Sequence, residues 1–240
     1  MTWRLRTSSS LPVALVLCGT VAFGAAVTGQ IQVRDSRAEA VVKRKDYSGI
    51  VVSLRPLSGT PPPPGARTVM NQKNKTFLPH VLPVMTGATV DFPNFDPIFH
   101  NAFSSYNGQI FDVGLYPPGT SRAVRFSKPG VVRVFCNIHP TMSAVILVLP
   151  TPYFTTTGRD GSFRLDVPPG SYEVNVFHER ATEQTLQGLS QRILVTEEGL
   201  QVPPIPVSEA GFLSVPHKNK YNKEYGPPSD DKIIYPGVRN

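Results

Sequence analysis

Residues 130–148 have the sequence GVVRVFCNIHPTMSAVILV, and two alternating apolar runs within this stretch decide the fold class. The first run places Val132, Val134 and Cys136 on one face, and the second does the same for Met142, Ala144, Ile146 and Val148. Side chains of a β-strand alternate between its two faces, so each run predicts a strand with an inward apolar face. A short turn containing Pro140 separates the two strands.

The same period of two recurs on both sides of this stretch, whereas no sustained 3.6-residue period follows Gly29. Further alternating runs occupy residues 88–92, 124–126, 162–166 and 172–176. Turn signals divide the runs at Gly87, Pro117–Gly119, Pro129–Gly130, Asp160–Gly161 and Pro168–Gly170. The pattern predicts an all-β, antiparallel, sandwich-like protein.

Composition agrees with this fold class and excludes several functions. Of 240 residues, 40% are hydrophobic and 17% are charged, which is too apolar for a disordered chain and too polar for a multi-span membrane protein. The 25 prolines and 19 glycines favour many short strands. The net charge is +7, but the basic residues are dispersed, so we expect no nucleic-acid partner.

The N-terminus has the order of charges and apolar residues that is typical of an export signal. Arg4 and Arg6 precede an apolar run over Leu11–Val27, which ends in small residues around Ala26. We therefore predict a signal peptide at residues 1–29, with cleavage after Ala26, and a periplasmic or exported protein. An uncleaved segment would instead anchor the chain, and only in that case do we expect membrane contact.

The predicted export signal limits the roles that the cysteines can have. The chain has two cysteines, and cleavage would remove Cys18 and leave Cys136 alone. A single cysteine in an exported protein has no intramolecular disulfide partner. Cys136 is therefore buried and inert, paired with another molecule, or a metal ligand.

Of these three possibilities, the residues around Cys136 favour a role as a metal ligand. His139 and Met142 follow it at intervals of three, and a second histidine, His100, precedes it by 36 residues. Two His, one Cys and one Met form the ligand set of a blue-copper site. Singly, a His near a Cys is incidental and a Met at a strand start is core, but the combination indicates one type 1 copper ion. A structural zinc site would favour more thiolates, and the haem attachment motif is absent.

Beyond this ligand set, several motifs carry a family resemblance. They are Val90–Phe92, Pro93–Asn94, His100–Asn101, Phe103–Ser104, Phe111–Asp112, Gly130–Val131 and Cys136–Met142. They resemble the plastocyanin/azurin group of cupredoxins, with an amicyanin-like loop spacing, and more closely the exported bacterial methylamine-utilisation-like cupredoxins. The resemblance implies a Greek-key β-sandwich.

The same resemblance implies roles for five residues. His100 and His139 would bind copper through Nδ1, Cys136 would bind it through Sγ, and Met142 would be the weak axial ligand. Asn101 would tie the His100 loop to the Cys136 loop by hydrogen bonds. The other histidines, His80, His178 and His217, are expected to have structural or solvated roles.

A second resemblance concerns residues 151–207. The segments Asp160–Leu165 and Val167–Tyr172 resemble a carboxypeptidase-regulatory-like β-sandwich, whose first strand would be Ile50–Leu54. We therefore predict a discontinuous small sandwich, 30–57 plus 151–207, into which a cupredoxin domain is inserted at 58–150. A simple tandem order is the alternative. Pro61–Pro64 is a stiff connector, and 208–240 is an irregular tail that is either draped over the surface or mobile.

These features predict a periplasmic one-electron carrier rather than an enzyme. The four ligands would saturate the metal, and no carboxylates are paired for acid/base chemistry. The expected partner is a redox protein with an acidic surface, such as a cytochrome, an oxidase or a dehydrogenase. The alternative is an envelope binding or structural module, or a copper store, because a minimal carrier would not need the second sandwich and the tail.

Overall fold

The computed structural model describes residues 24–60, 63–105, 108–214 and 216–226. The described part of the chain is built almost entirely from β-strands, together with two helices of six residues each. The predicted all-β fold class is therefore confirmed. Neither helix has the length and apolar composition that crossing a bilayer requires, and no other helix is present among the described residues.

The elements follow one another in this order: β1 (Ala25–Arg34), α1 (Glu39–Arg44), β2 (Val51–Pro56), β3 (Arg67–Val69), β4 (Asn71–Lys73), β5 (Thr76–Leu78), β6 (Val81–Met85), β7 (Thr89–Pro93), β8 (Phe103–Ser104), β9 (Phe111–Asp112), β10 (Ser121–Arg125), β11 (Gly130–Phe135), β12 (Ser143–Leu149), β13 (Phe154–Thr156), β14 (Ser162–Val167), β15 (Gly170–Phe177), α2 (Glu183–Gly188), β16 (Gln191–Val195), β17 (Leu200–Gln201) and β18 (Ile205–Ser208).

Strands from the two ends of this order form one sandwich, residues 25–57 and 151–208, which we name the host sandwich. One sheet has the order β14-β1-β17, with β18 also paired to β1, and the other has the order β13-β2-β15-β16. Strands β1 and β2 are thus central in their sheets, and each is flanked by strands that follow residue 150. Their alternating apolar residues share one core cluster with those strands, as Val27, Leu54 and Val174 illustrate.

The start of β1 overlaps the predicted signal peptide at residues 25–29. Val27 is fully buried and pairs with Leu165 of β14 and Leu200 of β17. Small and apolar residues suit a cleavage site and a half-buried strand equally well, so the local pattern did not separate the two. Cleavage after Ala26 would remove the first two residues of β1. Residues 1–23, including Cys18, lie outside the described residues.

Strands β3–β12 form the inserted unit, residues 63–150. Its larger sheet has the order β6-β12-β11-β8-β9, a second sheet has the order β10-β7-β3, and β4 and β5 form a hairpin. β11 and β12 are the two strands that were predicted within residues 130–148, and they pair antiparallel from Gly130↔Val148 to Phe135↔Ser143. The apolar faces of the sheets form a second core cluster, which includes Cys136 and Met142.

The chain crosses between the two units at adjacent points. Near the return crossing, Thr151 Oγ1 donates to the Leu54 carbonyl oxygen at 2.7 Å. A polar contact adds to this junction, because His80 Nε2 lies 2.5 Å from Glu179 Oε2, which follows β15. The same carboxylate lies 3.5 Å from Arg133 of β11. Of the predicted Pro61–Pro64 connector, residues 61 and 62 lie outside the described residues.

Candidate metal centre

The predicted ligands come from two places at one end of the inserted unit. His100 lies between β7 and β8, where its backbone exchanges two hydrogen bonds with Tyr116. The other three come from the turn that joins β11 to β12. Backbone bonds close this turn: Cys136 N–H donates to the Met142 carbonyl at 3.0 Å, and Met142 N–H donates to the His139 carbonyl at 3.1 Å. One tight turn therefore carries three of the four predicted ligands.

The structure brings His100, Cys136 and His139 together in the interior. Cys136 Sγ lies 3.5 Å from His139 Nδ1 and 3.9 Å from His100 Nδ1, and the three ligand atoms are all within 4.8 Å of one another. Cys136 and His100 are fully buried, and His139 is 7% exposed. Met142 is also fully buried and belongs to the same core cluster as Cys136.

A carboxylate that the sequence analysis missed orients His100. His100 Nε2 lies 2.7 Å from Oδ2 of Asp96, which is itself buried. Asp96 also accepts hydrogen bonds from the backbone N–H groups of Asn74 and Lys75, at 2.6 and 2.8 Å. Burial opposes its charge, but these bonds and His100 hold the pKa of Asp96 below its usual value. A carboxylate on Nε2 leaves the Nδ1 lone pair of His100 for a metal.

Asn101 joins the two ligand loops. Its side-chain Oδ1 accepts a hydrogen bond from Asn137 N–H at 3.3 Å, and its Nδ2 donates to Asp112 at 2.7 Å. The backbone N–H of Asn101 also interacts with the Cys136 sulfur, as do those of Ile138 and His139. The bond between Asn101 and Asn137 joins the His100 loop to the Cys136 loop, and the backbone donors aim at the atom on which a thiolate would carry its charge.

Burial sets the protonation states of the three groups. It lowers the pKa of His100, and together with the nearby His100 it lowers the pKa of His139 to about 4. Both rings are therefore neutral near pH 7 and offer lone pairs. Burial raises the pKa of the Cys136 thiol, against the opposing effect of its backbone donors. A metal cation would compensate the charge of the thiolate, so binding would release the thiol proton.

Part of the predicted irregular tail covers the Cys136 loop. Residues 216–226, which we name the strap, contain no helix or strand and pack on this end of the inserted unit. Tyr225 Oη donates to the Cys136 carbonyl oxygen at 2.8 Å, and Lys220 N–H donates to Asn137 Oδ1 at 3.0 Å. The described strap is thus draped over the site, and residues 227–240 lie outside the described part of the chain.

The remaining histidines make structural contacts. His178 Nε2 lies 2.7 Å from the buried carboxylate of Glu209, which Arg180 also contacts. His80 pairs with Glu179, and the His217 ring stacks on Phe135 with centroids 4.1 Å apart. Among the residues that the structure describes, His100, Cys136 and His139 are the one group of His, Cys and acidic residues close enough to share a metal.

Comparisons with known proteins find likeness only at the level of solved structures. No protein-family model and no curated protein matches the chain. A copper-containing nitrite reductase from Thermus scotoductus is 25% identical, with 40% of this chain and 26% of that chain covered and a TM-score of 0.34. This chain therefore spans about a quarter of the reductase.

Two smaller proteins are covered almost completely. A purple cupredoxin from Nitrosopumilus maritimus is 24% identical over 35% of this chain and 99% of its own, with a TM-score of 0.31. A reduced Cu(I) amicyanin variant is 19% identical over 41% and 98%, with a TM-score of 0.33. TM-scores this low carry no structural argument, so the assignment of the site rests on its own side chains.

Proposed function

We propose that the chain is an exported type 1 copper protein that serves as a periplasmic one-electron carrier. One observation carries the proposal: the Cys136 sulfur lies 3.9 Å from His100 Nδ1 and 3.5 Å from His139 Nδ1 in the interior, with Met142 buried in the same cluster. This donor set fits copper, because thiolate and thioether favour Cu(I) and imidazole accepts both oxidation states. A copper ion bound there would supply a one-electron couple.

The protein's part in this function is to hold the ligands still. His100 is fixed by Asp96, and the Cys136 turn is closed by its own backbone bonds. Packed β-strands support both ligand loops, so the same arrangement can serve the two oxidation states with little movement. Saturation by four ligands leaves no position for a substrate, which favours a carrier over an enzyme.

Electrons would enter and leave beside His139. This ring is 7% exposed, and the exposed residues Pro140 and Thr141 follow it directly. Removing Arg4 and Arg6 with the export segment would leave a net charge of about +5, which favours a weak encounter with an acidic partner surface. The partner we propose is a cytochrome, an oxidase or a dehydrogenase.

The host sandwich supports a second candidate function. It has a complete apolar core of its own and contributes none of the four proposed ligands. A carrier does not need this unit, whereas an envelope binding module or a copper store could use it to attach to another component.

A copper titration of the full chain separates these functions. A carrier should develop an intense thiolate-to-copper band and a reversible redox couple. A store should instead release Cu(I) slowly to a chelator and show no reversible couple.

The matched variants are Cys136→Ser and, as a histidine control outside the site, His80→Gln. Cys136→Ser should abolish the band and weaken copper binding severely, because the thiolate supplies both. His80→Gln should keep the band. An intense band at the same wavelength in Cys136→Ser would refute the proposed centre.

A further inference from the structure

The strap contacts the Cys136 loop through several different groups. It contains no regular secondary structure, yet its Tyr225 and Lys220 both bond to the loop. His217 anchors the same segment, because its ring stacks on Phe135 at 4.1 Å and its Nδ1 lies 3.1 Å from Tyr225 Oη. Aromatic packing on Phe135 and hydrogen bonding to Asn137 therefore fix the strap to the residues on either side of Cys136.

The first of these contacts acts on the peptide of the ligand itself. The N–H of Cys136 donates a hydrogen bond to the Met142 carbonyl, and the carbonyl of Cys136 accepts one from Tyr225 Oη at 2.8 Å. Both polar groups of the Cys136 backbone are thus held, one by the turn and one by the strap. The positive end of the Tyr225 O–H dipole points at the residue that carries the sulfur.

The second contact extends the bridge between the ligand loops. Lys220 N–H donates to Asn137 Oδ1 at 3.0 Å, and Lys220 Nζ lies 2.8 Å from Asp112 Oδ2. The other oxygen of Asp112 accepts from Asn101, whose Oδ1 receives Asn137 N–H. Lys220, Asp112, Asn101 and Asn137 therefore form a closed ring of contacts. The Lys220 ammonium adds a positive charge to this ring.

We propose that the strap is a positioning element of the metal centre, in which Tyr225 and Lys220 hold the Cys136–Asn137 backbone and raise the reduction potential. This inference rests on the proposed function. The reduced centre carries one positive charge fewer than the oxidised one. The Tyr225 O–H dipole and the Lys220 charge therefore stabilise it preferentially.

The test compares single variants of the copper-loaded full chain by potentiometry and visible spectroscopy. Tyr225→Phe removes one hydroxyl and keeps the ring, and Tyr153→Phe removes the same group from a side chain that packs against the core of the host sandwich. Lys220→Met and Lys223→Met each remove one positive charge, but only Lys220 pairs with Asp112. We expect a lower potential and a shifted thiolate band in Tyr225→Phe and Lys220→Met, with the two controls close to the wild type.

Three outcomes are distinct. A blue wild type with potentials that fall only in Tyr225→Phe and Lys220→Met supports the inference. A blue wild type in which all four variants keep the wild-type potential and band overturns the strap and leaves the proposed function intact. A wild type without a thiolate-to-copper band overturns both. Folding of each variant is checked by its melting curve, and potentials are compared only between variants whose unfolding transition remains cooperative.

Discussion

The host sandwich and the inserted unit are both two-sheet β structures with an apolar core, but they use buried polar groups differently. In the host sandwich the buried hydroxyls of Thr151 and Thr157 bond to neighbouring backbone, and the buried Glu209, directly after β18, pairs with His178 and Arg180 far from any cysteine. In the inserted unit, Asp96, His100 and Asn101 bond to other side chains or to the opposite ligand loop, at the end that holds Cys136. Buried polar groups that satisfy backbone maintain a fold, whereas those that orient one another around a sulfur indicate a site.

The largest effect is expected when the central strands of the host sandwich are removed. An isolated fragment of residues 151–240 lacks β1 and β2, which lie in the middle of the two sheets. It should aggregate or remain unfolded, because the remaining strands have unpaired edges and half a core. A cooperative melt or a well-dispersed NMR spectrum of this fragment would contradict the shared core and favour a simple tandem order.

A core truncation should separate stability from copper binding. Leu54 is fully buried on β2, so Leu54→Ala should lower the free energy of unfolding by about 2–5 kcal/mol. The copper spectrum of the folded protein should stay unchanged, because Leu54 belongs to the other core. Val42→Ala, at a site 53% exposed on α1, is the control for chemical denaturation. A changed spectrum in Leu54→Ala would mean that the two cores are coupled.

The reverse experiment alters the site and spares the host core. Asp96→Asn keeps the shape of the side chain but removes the charge that faces His100 Nε2. Copper affinity should fall about 10–100-fold, the usual cost of losing a partner that orients a ligand. Asp91→Asn, which breaks a surface pair with Arg67, serves as the control in the same competition titration. Equal affinities for the two variants would make Asp96 an ordinary loop residue.

The smallest effect concerns the contact between the units. Glu179 raises the pKa of His80, and His80 in turn helps to hold the pKa of Glu179 low. The raised His80 pKa contributes stability below its unfolded value of 6.5, and this contribution fades as the pH rises through the folded pKa. The lowered Glu179 pKa contributes above its unfolded value of 4.5 and fades as the pH falls through the folded pKa.

His80→Gln should therefore lower the free energy of unfolding by about 0.2–1 kcal/mol near pH 5.5, and by less at pH 9. The effect is small because the pair is partly exposed. Chemical denaturation at both pH values measures the difference. Lys43→Gln, which removes an exposed pair within α1, should show no comparable dependence between them. A cost for His80→Gln that is equal at both pH values would show that the pair is not ionic.

Local pattern made part of this structure predictable. The alternation that ends at Cys136 and resumes at Met142 identified two strands, and the spacing Cys-x₂-His-x₂-Met lies within a single turn. The Asp160–Gly161 turn is local as well: Asp160 Oδ1 accepts Ser162 N–H, and Gly161 has φ +81°. A Cβ at Gly161 would lie 2.1 Å from the Ile31 carbonyl oxygen, so a side chain cannot fit there.

Other features depend on contacts that leave no local trace. Asp96 lies only four residues before His100, but its carboxylate is held in place by the backbone of Asn74 and Lys75, more than twenty residues away. Tyr225 meets Cys136 across 89 residues, from a segment without periodicity. The first residues of β1 carry the small side chains that also mark a cleavage site. In each case the missing information is a partner distant in sequence, which composition and periodicity cannot supply.

The connection between Ser208 and the strap makes docking on the Cys136 loop a unimolecular event. A short covalent connection gives the two segments that it joins an effective concentration on the order of millimolar. Contacts too weak to hold a separate peptide would then keep this one in place for much of the time. Leu213, which lies on this connection, is 81% exposed. One proteolytic cut there would turn the strap into a dilute ligand and change the centre through a single peptide bond outside it.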